Sequence, residues 1–90
     1  MDIQTFIIQR SHFVWWTKNP GQLSVESIVE ATLNYGNWDD VQKLISILGI
    51  EKISSIFHSQ IEHERSNYHL KTKHFFTLYF KAHAPRNPQQ

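Results

Sequence analysis

Histidine is the residue type that first points to chemistry in this chain, which contains six of them in 90 residues. Four lie close together in the second half, at His58, His63, His69 and His74. A step of five residues turns a helix about 140° past a full turn, so His58 and His63 cannot share one helical face as paired metal ligands do. Glu62, four residues after His58, completes only a two-ligand fragment. The spacing therefore predicts surface histidines and no metal site.

The adjacent carboxylates Asp39 and Asp40 are the other pair that could carry chemistry. They follow Asn37, in the first turn of an expected helix, where the helix dipole favours negative charge, so capping explains them. The chain has no cysteine, no glycine-rich phosphate loop and no serine in an elbow motif. We therefore predict no catalytic residue and no cofactor, and we expect a binding module rather than an enzyme.

The composition indicates a small globular domain inside the cell. Three Trp, three Tyr and six Phe can bury a large area per residue, so a core without a disulfide or a metal is plausible. The lack of cysteine agrees with a cytoplasmic location. No apolar run approaches the ~20 residues that cross a bilayer, and Met1 and Asp2 begin no signal peptide. We expect a soluble cytoplasmic protein with no membrane segment.

The elements that must position any site are organised around the stretch 35–40, which we interpret as a sharp corner between two helices. Gly36 follows a helical apolar pattern, so we expect it at the C′ position in a left-handed conformation. Asn37 is a typical N-cap. We expect Trp38 to pack back across this corner.

Apolar spacing and stop signals predict short helices along most of the chain. The four clearest segments are 24–35, 38–48, 50–59 and 69–83. Residues 2–10 fit a helix or a strand, and we prefer the helix. We expect Ser66 or Asn67 to cap the last helix and Pro85 to end it. The prediction is an all-α, compact single domain of four to five short helices, with 1–23 as an N-terminal segment and turn, 24–83 as the helical core and 84–90 as a tail.

Aromatic residues give the candidate partner-binding positions. On the last helix, Phe75, Leu78 and Tyr79 form one stripe, while Phe76 and Phe80 form another about 100° away. Because this apolar surface is too wide for one flat contact, the helix is either wedged centrally among the others or shared between the core and a partner. We place the first stripe in the core and take Phe76 and Phe80 as candidate partner-binding residues.

The adjacent Trp15 and Trp16 can hardly both face one core. One of them is therefore expected on the surface or in an interface, with a half-exposed core position as the alternative. We take both as candidate partner-binding residues.

Charge is divided unevenly along the chain. Residues 1–64 carry four cations against all eight acids, a net charge of −4, whereas residues 65–90 carry five cations and no acid. The basic segment could bind nucleic acid or an acidic partner, or it could neutralise the acidic helices within the molecule. The candidate nucleic-acid-binding residues are Arg65, Lys71, Lys73, Lys81 and Arg86.

The pair 38–48 and 50–59, joined at Gly49, also has the length of a helix-turn-helix. Its second helix argues against that interpretation, because it offers no Arg, Gln or Asn for base edges.

Several short motifs resemble an uncharacterised family of small prokaryotic helical proteins associated with genes for abortive-infection nucleotidyltransferase toxins. The resemblance covers most of residues 13–80. It rests on Trp15 or Trp16 before Asn19-Pro20, on Leu23 and Ile28-Val29, and on LNYGNWDDVQKL at 33–44, GIEKISSIF at 49–57 and TKHFFTLYF at 72–80. The chain departs from the family at Thr17-Lys18 and at His69-Leu70-Lys71.

The resemblance implies an antitoxin-like partner of such a toxin. The leading expectation is therefore a non-enzymatic protein-interaction module that binds a protein partner or forms a homo-oligomer. The alternative is a small nucleic-acid-binding transcriptional regulator that uses the basic C-terminal helix.

Overall fold

Five α-helices and two short 3₁₀ helices make up the part of the chain that the computed structural model describes, residues 2–62 and 67–84. The α-helices are α1 (Ile3–Ile8), α2 (Val25–Tyr35), α3 (Trp38–Leu48), α4 (Ile50–Glu62) and α5 (Leu70–His83). The 3₁₀ helices, Ser11–Val14 and Pro20–Gln22, lie between α1 and α2. These residues contain no strand, which confirms the predicted all-α fold. Within them, every helix is too short or too polar to be a transmembrane span.

Helices α2 and α3 begin within one residue of their predicted starts, and a side chain caps each N-terminus. The Ser24 side chain accepts the N–H of Ser27 at 3.1 Å. Asn37 Oδ1 accepts the N–H of Asp40 at 2.9 Å, and Asp40 Oδ2 accepts the N–H of Asn37 at 3.0 Å, which completes a capping box. The Asn37 cap is thereby confirmed. Helix α4 continues three residues beyond the predicted end at residue 59, and the segment with two possible interpretations, 2–10, contains the helix α1.

The left-handed conformation predicted for Gly36 is wrong. Its φ of −77° and ψ of 156° are extended backbone that any residue can adopt. Gly36 is required for space instead, because a Cβ there would lie 2.8 Å from the carbonyl oxygen of Thr32 and 2.9 Å from the Cβ of Asp40. The glycine with positive φ is Gly49, at +88°, between α3 and α4. Each corner therefore depends on its glycine for a different physical reason.

The core is formed by side chains from all five α-helices and from the first 3₁₀ helix. Its largest fully buried members are Phe6, Ile7, Val14, Ile28, Val29, Leu44, Ile53, Phe57 and Phe80. The Phe57 ring of α4 is fully buried in this core, 5.4 Å from the ring of Phe80 and 5.1 Å from that of Tyr68. The apolar stripes predicted for α2, α3 and α4 face this core.

The sequence placed most of the two aromatic stripes of α5 on the wrong sides, although Tyr79 is half-buried against the core as predicted. Phe76 and Phe80 are 5% and 1% exposed, so they are core residues and offer no surface to a partner. Phe75 and Leu78, which the sequence placed in the core, are 50% and 56% exposed. The physical reason is tertiary: the Phe57 ring of α4 contacts both Phe76 and Phe80. A helix with apolar residues around most of its circumference gives no periodicity that could identify this side.

The start of α5 is held by another helix rather than by its own capping residue. Its N-cap position is His69, whose side chain makes no capping bond, so the predicted cap at Asn67 is wrong. Asn34 of α2 provides the missing acceptor, because its Oδ1 receives the N–H of His69 at 3.0 Å. The other two positions named from the sequence, Ser66 and Pro85, lie outside the described residues.

Candidate functional site

All three tryptophans of the chain present a large part of their surface to solvent. Trp15 is 66% exposed, Trp16 is 55% exposed and Trp38 is 46% exposed. Tryptophan is highly buried on average, so three exposed indoles in one small domain leave a large apolar area in water. The sequence indicated that one of the adjacent pair would be exposed, whereas the structure exposes both.

Trp15 and Trp16 border a cavity of about 560 Å³, which we call the tryptophan pocket. They belong to the turn after the 3₁₀ helix Ser11–Val14, and the buried side chains of Phe13 and Val14 anchor that turn to the core. The opposite wall is the exposed side of α2. The remaining lining residues are Ser27, Glu30, Ala31, Asn34, Tyr35 and Asn67.

The aromatic rings of the pocket pack edge to face. The Trp15 and Trp16 ring centroids are 5.2 Å apart with an interplanar angle of 81°. The Trp15 and Tyr35 centroids are 5.3 Å apart at 74°. On its other side Tyr35 contacts the His69 ring, also at 5.3 Å. These T-shaped contacts are attractive, and they hold three exposed rings in definite orientations.

Hydrogen bonds fix the polar wall of the pocket. Glu30 Oε2 accepts the N–H of Asn67 at 3.1 Å. Asn34 Nδ2 donates to the carbonyl oxygen of Asn67 at 3.1 Å, while its Oδ1 receives the N–H of His69. Two side chains of α2, one turn apart, therefore hold the backbone that leads into α5. The polar residues Ser27, Glu30 and Asn34 form the face of α2 that lines the pocket.

Tyr68 ties the same segment to α4. Its hydroxyl donates to Gln60 Oε1 at 2.6 Å, and Gln60 Nε2 donates to the carbonyl oxygen of Glu26 at 3.0 Å. Burial, with a smaller contribution from the negative charge of Glu30, holds the pKa of Tyr68 above its ordinary value. The phenol is therefore neutral and acts as a structural hydrogen-bond donor.

A second exposed apolar surface lies on the solvent side of α5, and we call it the outer face of α5. It consists of Leu70, Lys71, His74, Phe75, Leu78 and Lys81, all exposed. Trp38 of α3 lies beside it, with ring centroids 6.4 Å from Phe75 and 5.3 Å from Tyr79. The sequence predicted that Trp38 packs back across the corner at 35–40. In the structure, its ring contacts two aromatic residues of α5. A groove of about 330 Å³ beside them has Trp38, Phe75 and Lys71 among its lining residues.

The lysines proposed to bind nucleic acid are solvent-facing. Lys71, Lys73 and Lys81 are exposed and form no ion pair with the residues that the structure describes. The ion pair that the structure shows joins Arg10 Nε to Asp40 Oδ1 at 2.7 Å, far from these lysines in sequence. Neutralisation of α5 by direct pairing with the acidic helices is therefore not seen in this part of the chain. The other two candidates, Arg65 and Arg86, lie outside the described residues.

The histidines do not converge on a metal-binding geometry in residues 2–62 and 67–84, where no group of three His, Cys, Asp or Glu side chains comes together. His58 Nδ1 lies 2.8 Å from the carbonyl oxygen of Ser54 on the preceding turn. His69 and His83 instead contact the rings of Tyr35 and Tyr79. His63 lies outside the described residues.

The sequence singled out Trp15 and Trp16 but missed Glu30, Asn34, Tyr35 and Trp38 as members of these surfaces. Glu30 and Asn34 have the i, i+4 spacing that places them on one helical face. That spacing is a usable signal, although it does not show which segment of the chain lies opposite this face.

Comparison of the chain with protein-family models, with curated proteins and with solved structures gave no match.

Proposed function

We propose that this chain is a non-enzymatic protein-interaction module that binds its partner through its exposed aromatic residues, above all Trp15, Trp16 and Trp38. The observation that carries the proposal is the exposure of all three tryptophans. Tryptophan and tyrosine are enriched at the centres of protein interfaces, where their rings become fully buried and contribute most of the binding free energy. An indole that stays about half exposed buries only about half of its area on folding, and a partner would bury the rest.

The type of partner comes from the resemblance. An antitoxin-like chain must bind its toxin tightly, and the aromatic surface provides suitable anchors. A nucleotidyltransferase toxin is therefore the partner that we propose. A homo-oligomer through the outer face of α5 is less favourable, because it would bring Lys71 and Lys81 of one copy towards those of another.

The test is co-expression of the tagged chain with the products of the genes that flank its own, followed by light scattering on the purified complex. We expect a complex of defined stoichiometry that the double change Trp15→Ala with Trp16→Ala weakens at least about tenfold. Ile8→Ala is the matched control, because Ile8 is an exposed apolar residue that lines neither cavity. A monomer with no partner among these products would count heavily against the proposal.

A nucleic-acid-binding regulator is the second candidate, and it is favoured by the exposed lysines beside Phe75 and Leu78. Aromatic rings can stack on bases while lysines bind phosphates. Binding would then weaken steeply with salt, and Lys71→Gln, Lys73→Gln and Lys81→Gln would each flatten the log–log slope by about one unit, because each removes one cation from a phosphate. Filter binding of single and double strands at two salt concentrations tests this candidate. Tight, salt-dependent retention would favour the regulator.

A further inference from the structure

We propose that the tryptophan pocket receives a basic side chain, arginine or lysine, from the protein partner. This inference rests on the proposed function and deepens it by naming the chemistry of the group that the pocket binds. It follows from three features of the pocket: its aromatic rings, its carboxylate and the hydrogen bonds that hold both in place.

The aromatic rings supply the first part of the argument. The faces of indole and phenol rings carry negative electrostatic potential, and tryptophan attracts a nearby cation most strongly. Trp15 stands nearly perpendicular to Trp16 and to Tyr35, at 81° and 74°, so ring surfaces of different orientation border one cavity. A planar guanidinium can also stack on such a ring. A basic side chain can therefore bury its apolar stem and its charge at the same place.

Charge complementarity supplies the second part. Glu30 is the one charged side chain among the lining residues that the structure describes. Across the described ranges, no cationic side chain lies within ion-pair distance of Glu30. An anionic cavity of this kind disfavours an acidic side chain and favours a basic one.

The third part is that the pocket is already ordered before a partner binds. Glu30 is held by the N–H of Asn67, and Asn34 is held by two hydrogen bonds. Tyr35 is fixed between Trp15 and His69. Little side-chain entropy is left to lose, which lowers the cost of binding.

The experiment is a titration of the full chain with capped tripeptides, followed by backbone amide chemical shifts. The probes are acetyl-Gly-Arg-Gly-amide, its lysine form, and two neutral counterparts that carry citrulline or norleucine at the central position. We expect the arginine and lysine peptides to bind in the millimolar range, about tenfold more tightly than their neutral counterparts, because cation–π attraction and a screened ion pair add together. Shifts should be confined to the pocket residues.

Two substitutions and their controls assign the effect to the pocket. Glu30→Gln keeps an oxygen for the N–H of Asn67 and should weaken binding of the arginine peptide about threefold to fivefold. Glu26→Gln removes the same charge one turn earlier on α2, outside the pocket lining, and should leave the affinity unchanged. Trp15→Ala should reduce binding at least about tenfold, whereas Trp38→Ala should not.

Equal binding of arginine and citrulline peptides would overturn the inference, because the pocket would then be an apolar site. No binding of either cationic peptide at millimolar concentration would overturn it as well. The proposed function has a separate readout in the partner complex. If that complex forms and Glu30→Gln leaves its affinity unchanged, the inference fails and the proposed function stands. If no complex forms while the arginine peptide binds the pocket selectively, the proposed function fails and the cation site stands.

Discussion

The tryptophan pocket and the outer face of α5 expose the same kind of residue in opposite electrostatic surroundings. In the pocket, Trp15 and Trp16 lie beside the carboxylate of Glu30. On the outer face, Phe75 and Leu78 lie among Lys71 and Lys81. An exposed aromatic ring therefore does not identify its ligand by itself. The charge beside the ring decides whether the ring attracts a cation or accompanies a phosphate.

The two surfaces also differ in how they are built. Segments distant in sequence form the pocket: the turn at Trp15, the exposed side of α2 and the backbone at Asn67. The outer face of α5 comes from one helix, with Trp38 added from α3. The pocket should therefore be lost when tertiary packing loosens, whereas the outer face should persist as long as α5 is helical.

The largest expected effect separates the two sides of α5. Phe80→Ala should cost about 3–5 kcal/mol, because it removes a fully buried ring and leaves a cavity. Leu78→Ala, two residues away, should change the free energy of unfolding by no more than about 0.5 kcal/mol, as is usual for surface substitutions. Chemical denaturation measures both. Similar destabilisation of the two variants would mean that the inner and outer sides of α5 are not distinct.

The next effect concerns the corner between the two surfaces, where Tyr35 belongs to the pocket and Trp38 borders the outer face. Gly36→Val should cost about 2 kcal/mol, because the new side chain has to displace the Thr32 carbonyl or the Asp40 side chain of the capping box. The signals of Tyr35 and Trp38 should both shift in an NMR spectrum.

Gly49→Ala is the control for the corner. It should destabilise by about 1–3 kcal/mol through its positive φ alone, because no atom lies within 4 Å of the added Cβ. It should leave the signals of Tyr35 and Trp38 in place. A Gly36→Val protein as stable as wild type would show that the corner is not packed as described.

A smaller effect should be specific to the pocket. Asn34→Ala removes the bonds to His69 and Asn67. Because both bonds are exposed, each should contribute ~0.5–1 kcal/mol, so the total destabilisation should be about 1–2 kcal/mol. Asn34→Asp keeps the acceptor for the N–H of His69 and should destabilise about half as much. Amide hydrogen exchange at His69 should speed up in the alanine variant and remain near wild type in the aspartate variant. Equal exchange rates in the two variants would show that the Asn34 side chain does not hold the N–H of His69.

The smallest effect concerns Asp40, whose ion pair with Arg10 joins the chain just before the Trp15 turn to the helix that begins at Trp38. Burial opposes ionisation of this carboxyl, but the bonds from Arg10 and from the Asn37 N–H outweigh burial and hold the pKa of Asp40 below its ordinary value of 3.8. A depressed pKa in the folded state contributes stability above 3.8, and this contribution is lost as the pH falls through the lower folded value.

Denaturation of wild type and Asp40→Asn from neutral pH to about pH 3 tests this linkage. Because asparagine does not titrate, the wild type should lose stability on acidification more steeply, and the difference between the two proteins should narrow. Parallel pH profiles would contradict the lowered pKa of Asp40.

Features that depend on residues close together in the sequence could be predicted from it, whereas features that depend on tertiary packing could not. The boundaries of α2 and α3 depend on local capping by Ser24 and Asn37, so they were predicted correctly. The inner side of α5 depends on Phe57, and the need for glycine at position 36 depends on the close approach of Thr32 and Asp40, so neither is visible in a local pattern. Only part of the pocket could be predicted from the sequence. The paired tryptophans signalled exposed rings, but only tertiary packing brings them to Glu30 and Asn34.

The most direct test of the account uses the three indole N–H signals of the chain, assigned by single Trp→Phe changes and followed by NMR. We predict that acetyl-Gly-Arg-Gly-amide at ~150 mM salt shifts the signals of Trp15 and Trp16 and leaves that of Trp38 in place. The described lining of the pocket includes the carboxylate of Glu30, whereas the described lining of the groove beside Trp38 includes none. A shift of Trp38 alone, or equal shifts of all three, would contradict the distinction between the two surfaces on which the account depends.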